Sequence, residues 1–520
     1  MKRRAALLAL GALGAYGSTR IVRGRAPSAV GRRLIVVTIE PTTVLTSAFD
    51  PVMTNCLIGS KVMEGLVTYD VDLNPVPALA ERWEVSPDGR SIRFHLRPNV
   101  KWHDGADFTS EDVAFTLLES WKKLHPFGRA AWATVRAVQT PDPLTVDVHL
   151  EGPARYIFGY LNTFGAQVLP KHLYAGSDIR GNPHNQAPVG TGPFVFQEWQ
   201  RGSHVRLRKN PHYWRPGQPR LDEVIFRFIP DAPSRAAALQ SGEVQLALGG
   251  AIPHLSLRRF AQNDRFQLNT DDGNFLSSLS MVLCNVRSGA LADRRVRQAL
   301  MHAIDREALL RLVFRGYGKV ATGPVPSSVR RYYTTEVPQY PYDLARARGL
   351  LKDAGHADMR LQLAFGQPEA LRTALFLRQS LAKIGVTLEL KQSDATTWLR
   401  HVFTDQEFQL ALTGLHMLPD PTLGVQRLYW GKNIHKGVPW TNGSGYLNPE
   451  LDAVMEAAQI EGDEAERRRL MQRWQQIVQT DLPVLNLIES AWVSVSTANL
   501  QRPTRQGDGL FDNLGDAYFA

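Results

Sequence analysis

The stretch Val100–Leu118, "VKWHDGADFTSEDVAFTLL", puts one histidine and four carboxylates within ten residues, beside a tryptophan. Asp104-Gly105 is a dipeptide typical of a turn. Thr109 stands three residues before Asp112, which is a Thr-x-x-Asp variant of the capping box that begins a helix. The carboxylates are therefore explained by turn and cap geometry. His103 has no second ligand four residues on with which to hold a metal ion, so the stretch predicts structure and not catalysis.

The segments around this stretch predict a mixture of strands and helices. On its amino side, "SPDG" at Ser86–Gly89 is a turn between two runs of alternating apolar residues, which predicts a hairpin. The stretch "RLIVVTIE" at residues 33–40 predicts an earlier strand, and residues 190–230 are rich in strand-forming runs.

From about residue 293 the pattern changes to helices that alternate with short strands. Asp293 is a candidate N-cap for one amphipathic helical run that Gly316 ends. A strand at 360–365 and a helix closed by Gly385 follow, and then strand, helix and strand again up to residue 414. This alternation predicts a largely parallel sheet with helical crossovers. No Gly/Ser-rich linker separates the halves, which favours a structured hinge.

Composition and charge exclude several classes of protein. A chain of 520 residues is too long for one core, so at least two domains are expected. The net charge of +10 belongs mostly to the amino end, whose first 33 positions hold eight basic and no acidic residues. The remainder carries a net charge of about +2, which offers no strong footprint for nucleic acid.

The amino end predicts export. "MKRRAALLALGALGAYGSTR" combines a basic start with a short apolar run, the pattern of a secretory signal, and we assign residues 1–30 to a targeting segment. Cleavage near Ala15 or Ala26 and export by the general or the twin-arginine route stay open. No cysteine lies near the end of the run, so we expect a soluble periplasmic protein and not a lipoprotein. Cys56 and Cys284 form either one long-range disulfide or two buried thiols.

Three long motifs, in order, resemble family 5 of the extracellular solute-binding proteins, the peptide, nickel and oligosaccharide receptors of ABC importers. They are "MEGLVTYDVDLNPVPALAERWEVSPDGRSIRFHLRPNVKWHDGADFTSEDVAFTL" (63–117), "PVGTGPFVFQEWQRGSHVRLRKNPHYW" (188–214) and "DRRVRQALMHAIDREAL" (293–309). The resemblance implies an α/β, two-lobed periplasmic-binding-protein-like fold (type II, cluster C) with an extra α/β subdomain in lobe 1. It places lobe 1 at 34–283 with the subdomain at 73–188, lobe 2 at 284–486, and a return to lobe 1 at 487–520.

The resemblance also implies where a ligand would contact the chain. Family members line the cleft with a loop shaped like Gly-Trp-x-x-Asp-x-x-Asp-Pro, whose first acid holds a peptide's ammonium group in many peptide receptors. The matching stretch here, "LTGLHMLPDP" (412–421), has Met417 or Leu418 in place of that acid. The strand "LAFGQP" (363–368) offers no arginine for a ligand carboxylate. Peptides with a free α-amino group are therefore disfavoured.

The candidate ligand-binding residues are Asn285, Gln367, His416, Met417, Asp420 and Trp440. Structural alternatives stay open for four of them. Asp420 could cap loop amides beside Pro421, Trp440 could serve packing, His416 could be a hydrogen-bonded loop histidine, and Asn285 could orient the hinge backbone. No cofactor, resident metal or catalytic residue is expected.

The function that the resemblance implies is that of a periplasmic receptor. It would capture a peptide-like or other medium-sized organic solute by closure of two lobes and deliver it to an ABC permease and its ATPase at the inner membrane. We expect a monomer. The alternatives are a non-transport binding module, such as a sensor partner or chaperone, and a periplasmic hydrolase. The sequence has no Gly-x-Ser-x-Gly, His-Glu-x-x-His or Ser-x-x-Lys motif to favour the hydrolase.

Overall fold

The computed structural model describes residues 32–41, 43–271, 273–287, 289–504 and 507–520. The predicted targeting segment at 1–30, with both candidate cleavage positions, lies outside the described residues. None of the helices in the described part of the chain is long and apolar enough to cross a membrane.

Most of the first half of the chain is built from short strands. In chain order its helices and strands are β1 (Arg33–Thr38), α1 (Met53–Val62), β2 (Val67–Tyr69), β3 (Pro75–Pro77), β4 (Ala80–Val85), β5 (Ser91–Leu96), α2 (Ser110–Phe115), α3 (Pro126–Ala131), β6 (Val135–Asp142), β7 (Thr145–Leu150), α4 (Lys171–Tyr174), β8 (Phe194–Gln200), β9 (His204–Lys209), β10 (Glu223–Phe228), α5 (Ala232–Ser241), β11 (Leu246–Ala247), α6 (His254–Ala261) and β12 (Phe266–Asn269).

The second half contains longer helices between its strands. These elements are β13 (Ser277–Cys284), α7 (Arg294–Ala303), α8 (Arg306–Leu312), β14 (Gly318–Val320), α9 (Leu344–Asp353), β15 (Met359–Phe365), α10 (Leu371–Ala382), β16 (Val386–Gln392), α11 (Ala395–Leu399), β17 (Leu410–Met417), α12 (Pro449–Ile460), α13 (Glu464–Asp481), β18 (Val484–Ser490), β19 (Ser494–Thr497), β20 (Leu500–Gln501) and β21 (Tyr518–Phe519).

Three sheets of four or more strands organise most of these elements, and β2-β3 and β20-β21 form two-stranded sheets. The first sheet has the strand order β12-β19-β11-β1-β10-β9-β8, and the second has the order β14-β18-β13-β17-β15-β16. A small sheet, β4-β5-β7-β6, is formed wholly by residues 80–150. The chain passes between the first and second sheets twice, through residues 270–276 and 491–493. The predicted division at residues 283 and 284 falls at the end of β13, and the lobe boundaries stay a prediction.

The predicted largely parallel arrangement of the second sheet is wrong. Its parallel pairs are β15 with β16 and β15 with β17, whereas β13 pairs antiparallel with both β17 and β18, and β14 pairs antiparallel with β18. The alternating pattern correctly predicted the helical crossovers around β15. It did not predict the direction of β13 and β18, because the chain arrives at β13 from the first sheet and returns to the first sheet after β18.

The single helix expected between Asp293 and Gly316 is two helices. Asp293 caps α7 as predicted, its side chain accepting a hydrogen bond from the Arg295 amide. Ile304 then leaves the helical conformation, and the Asp305 carboxylate accepts the Ala308 amide at 2.8 Å to begin α8. An aspartate inside an apolar periodic run was thus the signal of a second helix start.

Buried side chains join parts of the chain that are distant in sequence. One apolar cluster lies between the second sheet and its helices and includes Leu300 and Leu363. A larger cluster extends from the small sheet, at Phe94, to the loop after β17, at Leu418, and to α13, at Trp474. The small sheet therefore shares one continuous apolar core with residues of both larger sheets.

Candidate ligand-binding site

The acidic stretch of residues 100–118 has a structural role. Asp112 Oδ2 accepts the Thr109 amide at 2.9 Å, which completes the predicted capping box, and its Oδ1 accepts the Lys171 amide at 2.8 Å. His103 Nε2 donates to the Gly192 carbonyl at 2.9 Å, while Nδ1 accepts the Gly190 amide at 3.2 Å. Both ring nitrogens are thus used, and burial lowers the pKa of His103 to about 4.

A cavity of about 550 Å³ lies between the first and second sheets. The segment Gly250–Leu255, which follows β11 and includes the first two residues of α6, lines one side. The other side consists of Gln367–Thr373, which follows the carboxyl end of β15, together with Leu412–Gly414 of β17 and Ser278 and Ser280 of β13. Clefts at the carboxyl ends of parallel strands are where open α/β sheets bind ligands, and the volume is in the range of small-molecule sites.

A smaller cavity of about 210 Å³ adjoins the first one at the two connections between the sheets. The two cavities share Ser278 and Ser490 among their lining residues. Trp492, in the second connection, lines the smaller cavity, and its ring centroid lies 5.2 Å from that of His416. Trp492 thus lies between the smaller cavity and the end of β17.

Of the predicted site residues, Gln367 lines this crevice, and the ring of His416 packs against Trp492, which lines its smaller part. Gln367 is exposed and lines the larger cavity. His416 pairs in register with Ser278 and lies on the same sheet face as Gly414, two residues earlier, which lines that cavity. Burial, with the positive charge of Arg427 nearby, lowers the pKa of His416 to about 4, so its ring is neutral at pH 7.

Asp420 and Met417 are placed in the protein interior. The Asp420 carboxylate pairs with Arg467 through two bonds of 2.8 and 3.1 Å and accepts the Thr422 amide at 2.9 Å. Met417 is fully buried, and Gly424 packs against its side chain. Asp420 thus organises the loop through its contacts with Arg467 and the Thr422 amide, as its structural alternative predicted.

Asn285 and Trp440 lie away from the lining of the larger cavity. The Asn285 amide group donates to the carbonyls of Gln406 and Phe408, at 3.2 and 2.9 Å, and so orients the backbone before β17. Trp440 packs on the rings of Trp398 and Phe403, with centroids 5.9 and 5.8 Å away. Both residues thus make the contacts that their structural alternatives predicted. Contact of any of the six candidate residues with a ligand stays a prediction.

Sequence reasoning missed the segment Gly250–Leu255. This segment belongs to the first half of the chain and approaches the crevice only through the tertiary fold. No sequence signal in the segment distinguishes it from an ordinary loop.

The titratable groups that the structure describes do not form a metal site. In the part of the chain that the structure describes, no group of three or more His, Cys, Asp or Glu side chains could hold a metal ion. Cys56 and Cys284 are both buried free thiols, so the disulfide alternative is not the one found in the structure. Burial raises the pKa of the Cys284 thiol to about 12.

Comparisons with known proteins agree on one family. Residues 74–436 match the family model "Bacterial extracellular solute-binding proteins, family 5 Middle". The glutathione-binding protein GsiB of Salmonella typhimurium is 30% identical over 465 residues, which cover 85% of this chain and 86% of that protein. The corresponding protein of Escherichia coli K12 is 27% identical over 463 residues, with coverages of 85% and 86%.

Solved structures are similar over nearly the whole chain. The ABC transporter substrate-binding protein CtaP of Listeria monocytogenes has a TM-score of 0.82 at 26% identity, over 94% of this chain and 99% of that one. AgaA of A. tumefaciens, in complex with agropinic acid, has a TM-score of 0.76 at 26% identity and the same coverages. The predicted fold class is thereby confirmed.

Proposed function

The chain belongs to family 5 of the bacterial extracellular solute-binding proteins, and from that premise we propose that it is the periplasmic receptor of an ABC importer. It captures a peptide-like or other medium-sized organic solute and delivers it, chemically unchanged, to a permease and its ATPase at the inner membrane. The observation that carries this proposal is the 550 Å³ cavity, which strands of the second sheet line together with the segment that follows β11 of the first sheet. The named relatives are binding proteins, which favours a receptor over a hydrolase.

Closure of the two lobes would make the binding site. Gly250–Leu255 and Gln367–Thr373 belong to opposite sides of the crevice, so a solute touches both only when the sides are close together. A ligand shifts an open–closed equilibrium by its difference in affinity for the two states. The two short connections, at 270–276 and 491–493, are the segments that would bend.

Peptides with a free α-amino group are disfavoured in this proposal. In the loop after β17, the carboxylate of Asp420 is already neutralised by Arg467, and both side chains are buried. Met417 is in the core. A peptide's ammonium group would therefore meet no available acid from this loop, and burying it unpaired would be costly.

The decisive experiment is mass spectrometry of the solute that copurifies from the native periplasm, followed by calorimetry with that compound. We expect one molecule bound per chain and released unchanged. The variant Gln367→Ala should weaken binding several-fold, whereas Gln262→Ala, an exposed residue away from both cavities, should not. Conversion of the solute by the purified protein would contradict the receptor assignment.

The peptide hypothesis and the transport hypothesis need separate measurements. Calorimetry with di- and oligopeptides should show no submicromolar binding, and an affinity in that range would refute the exclusion of free peptides. Deletion of the gene should abolish growth on the identified solute. Unimpaired growth and uptake would favour a binding module that does not serve a transporter.

A further inference from the structure

Three serine hydroxyls without a hydrogen-bond partner line the larger cavity. Ser278 and Ser280 lie two residues apart on β13, so their side chains share one face of the second sheet, and Ser490 of β18 is the cross-strand partner of Ser278. All three are partly buried and line the 550 Å³ cavity. Within the described ranges, none of these three hydroxyls bonds to another group, whereas the hydroxyl of Ser277, on the opposite face, bonds to the Asn274 carbonyl at 2.9 Å. We call Ser278, Ser280 and Ser490 the serine row.

Packing does not explain the serine row. On the other face of β13, Leu279, Met281 and Leu283 are at most 1% exposed and belong to the apolar core. The strand is central, between β17 and β18. Serine lacks the branched or aromatic side chain that such strands favour, and its burial stabilises a fold little. Hydroxyls on the face toward the cavity are therefore better explained by hydrogen bonds to a molecule inside it.

Open space lies beside the serine row. Gly414 of β17 pairs in register with Ser280 and lines the same cavity. A Cβ atom built on Gly414 would meet only the Leu279 carbonyl oxygen, at 3.6 Å, which is an ordinary contact distance, and the backbone of Gly414 has no positive φ. Neither backbone conformation nor close packing therefore requires glycine at this position. The space that the missing side chain leaves is next to the hydroxyls, where a solute can reach them.

His254 adds a hydrogen-bond acceptor from the other side of the cavity. It is the first residue of α6 and lines the larger cavity. Its Nε2 donates to the Ala491 carbonyl at 3.4 Å, which leaves Nδ1 of the neutral ring as an acceptor. Burial lowers the pKa of His254, so the ring is neutral at pH 7. Because Ala491 directly follows Ser490, this bond holds the imidazole close to the serine row.

The charged residues of the larger cavity lie away from the serine row. Among the described residues that line it, Glu369 and Arg372 carry charges at pH 7, and both are exposed. They belong to the segment that follows β15, and β17 lies between β15 and β13 in the sheet. A charged group of a solute at the serine row would therefore lose its water without gaining an opposite charge, which is costly.

The charged residues of the smaller cavity do not compensate for this. Glu489 precedes Ser490, so its side chain lies on the other face of β18, where it accepts the Ser327 amide and hydroxyl at 3.0 and 2.7 Å. Lys319 is its cross-strand partner and donates to the same hydroxyl at 3.1 Å. Asp271 is exposed, in the first connection between the sheets. The charges of Glu489 and Lys319 are thus on the face that the serine row does not occupy.

Resting on the receptor function proposed above, we propose that the serine row, with His254 opposite it, binds an uncharged part of the solute that bears hydroxyl or amide groups. Serine hydroxyls donate and accept hydrogen bonds, so they match groups that do the same. An ammonium group only donates, a carboxylate only accepts, and Nδ1 of His254 would repel the carboxylate. Charged groups of the solute lie toward the exposed Glu369 and Arg372 or in the water outside.

The first test removes single hydroxyls and uses the solute that copurifies, once mass spectrometry has identified it. Ser278→Ala, Ser280→Ala and Ser490→Ala should each weaken its binding roughly 3- to 10-fold in calorimetry, the usual effect of one lost hydrogen bond. The Tm of the dialysed variants should stay within about 1 °C of the wild type, because the hydroxyls have no internal partner. Ser393→Ala, at a partly buried serine that lines neither cavity, should change neither quantity.

The second test fills the space beside the serine row. Gly414→Leu should fold with an unchanged Tm, because its Cβ fits, and should weaken binding of the copurified solute at least 10-fold, because the side chain occupies the room next to Ser280. Gly349→Leu, at an exposed glycine with open space around it, should leave the affinity unchanged. Unimpaired binding by Gly414→Leu would show that the solute does not reach the serine row and would overturn the proposal.

The third test compares defined probes at matched ionic strength. Mannitol supplies hydroxyls, glutaramide supplies amides, glutarate supplies carboxylates and 1,5-diaminopentane supplies ammonium groups. At least one of the two neutral probes should raise the Tm of the wild type, and the double variant Ser278→Ala/Ser280→Ala should lose that response. Which neutral probe acts separates a hydroxyl-bearing from an amide-bearing solute. A response to either charged probe that the double variant loses, or no response to both neutral probes, would overturn the proposal.

The outcomes separate this inference from the receptor function. If the solute binds the wild type and all three serine variants equally, the serine row has no part in recognition while the receptor function stands. A copurified solute without any hydroxyl or amide group would have the same meaning. A fall in Tm of several degrees in the dialysed serine variants would show an internal partner for the hydroxyls and would also refute the inference. If the protein binds no periplasmic solute at all, the receptor function itself fails.

Discussion

Arg467 and Asp420 form a two-bond ion pair in the interior, with Nη1 2.8 Å from Oδ2 and Nη2 3.1 Å from Oδ1. Their side chains are only 1% and 7% exposed. The pair joins the long helix α13 to the loop after β17, and Arg467 also bonds to the Tyr332 hydroxyl. Residues from three distant parts of the chain thus hold the loop after β17 in place.

Breaking this pair should destabilise the protein strongly. Asp420→Asn leaves the Arg467 charge buried without compensation, and we expect a loss of about 3–5 kcal/mol in the free energy of unfolding. Urea denaturation measures this loss. Asp264→Asn, at an exposed aspartate, should change stability by less than about 0.5 kcal/mol. A similarly small effect at Asp420 would mean that the ion pair does not organise the loop.

Protonation of His103 should contribute to loss of stability in acid. Its pKa is about 4 in the folded protein and about 6.5 in an unfolded chain, so the unfolded state binds the proton first as the pH falls. The stabilisation is fully present above pH 6.5 and is lost between pH 6.5 and 4, up to roughly 3 kcal/mol. The variant His103→Gln should flatten the stability profile over that interval, whereas His435→Gln, at an exposed histidine, should leave the slope unchanged.

Contacts between the segment after β14 and the turn between β2 and β3 should contribute modestly to closure of the proposed lobes. Arg330 pairs with Asp72, and Arg331 Nη2 donates to Asn74 Oδ1 at 2.7 Å, so the segment after β14 touches the turn between β2 and β3. Both members of the ion pair are largely exposed, which limits its value to at most about 1 kcal/mol. Asp72→Asn should weaken solute binding by no more than about 5-fold in low salt and not at all in 1 M salt. A loss of affinity that does not depend on salt would show that Asp72 contributes by something other than this exposed ion pair.

The two cysteines should behave as buried thiols. Cys56 and Cys284 are both 0% exposed, and burial raises the pKa of each thiol above its usual range. Because the thiolate is the reactive form, a thiol reagent should label neither in the native protein and both after denaturation without reductant. Denatured protein with no reactive thiol would instead indicate a disulfide.

Local structure around the acidic stretch was predictable from the sequence because the interactions are between near neighbours. The capping box of Thr109 and Asp112, the turn at Asp104-Gly105 and the N-cap Asp293 are all present. The break between α7 and α8 was missed because the apolar periodicity was weighed above the Asp305 cap signal. The direction of β13 and β18 was not predictable, since it depends on the path of the chain between two sheets.

The sequence alone determined the family, the mixed α/β composition and the absence of an acid at position 417 or 418, because long ordered motifs and residue identities need no coordinates. Only the tertiary structure decided what each candidate side chain contacts. Asp420 is neutralised by a residue 47 positions later, and the guanidinium of Arg427, which no motif marks, lies against the ring of Phe127, 300 positions earlier. The physical reason is that burial and pairing of a charge depend on which distant groups the fold brings within a few ångströms, and one-dimensional spacing does not contain that information.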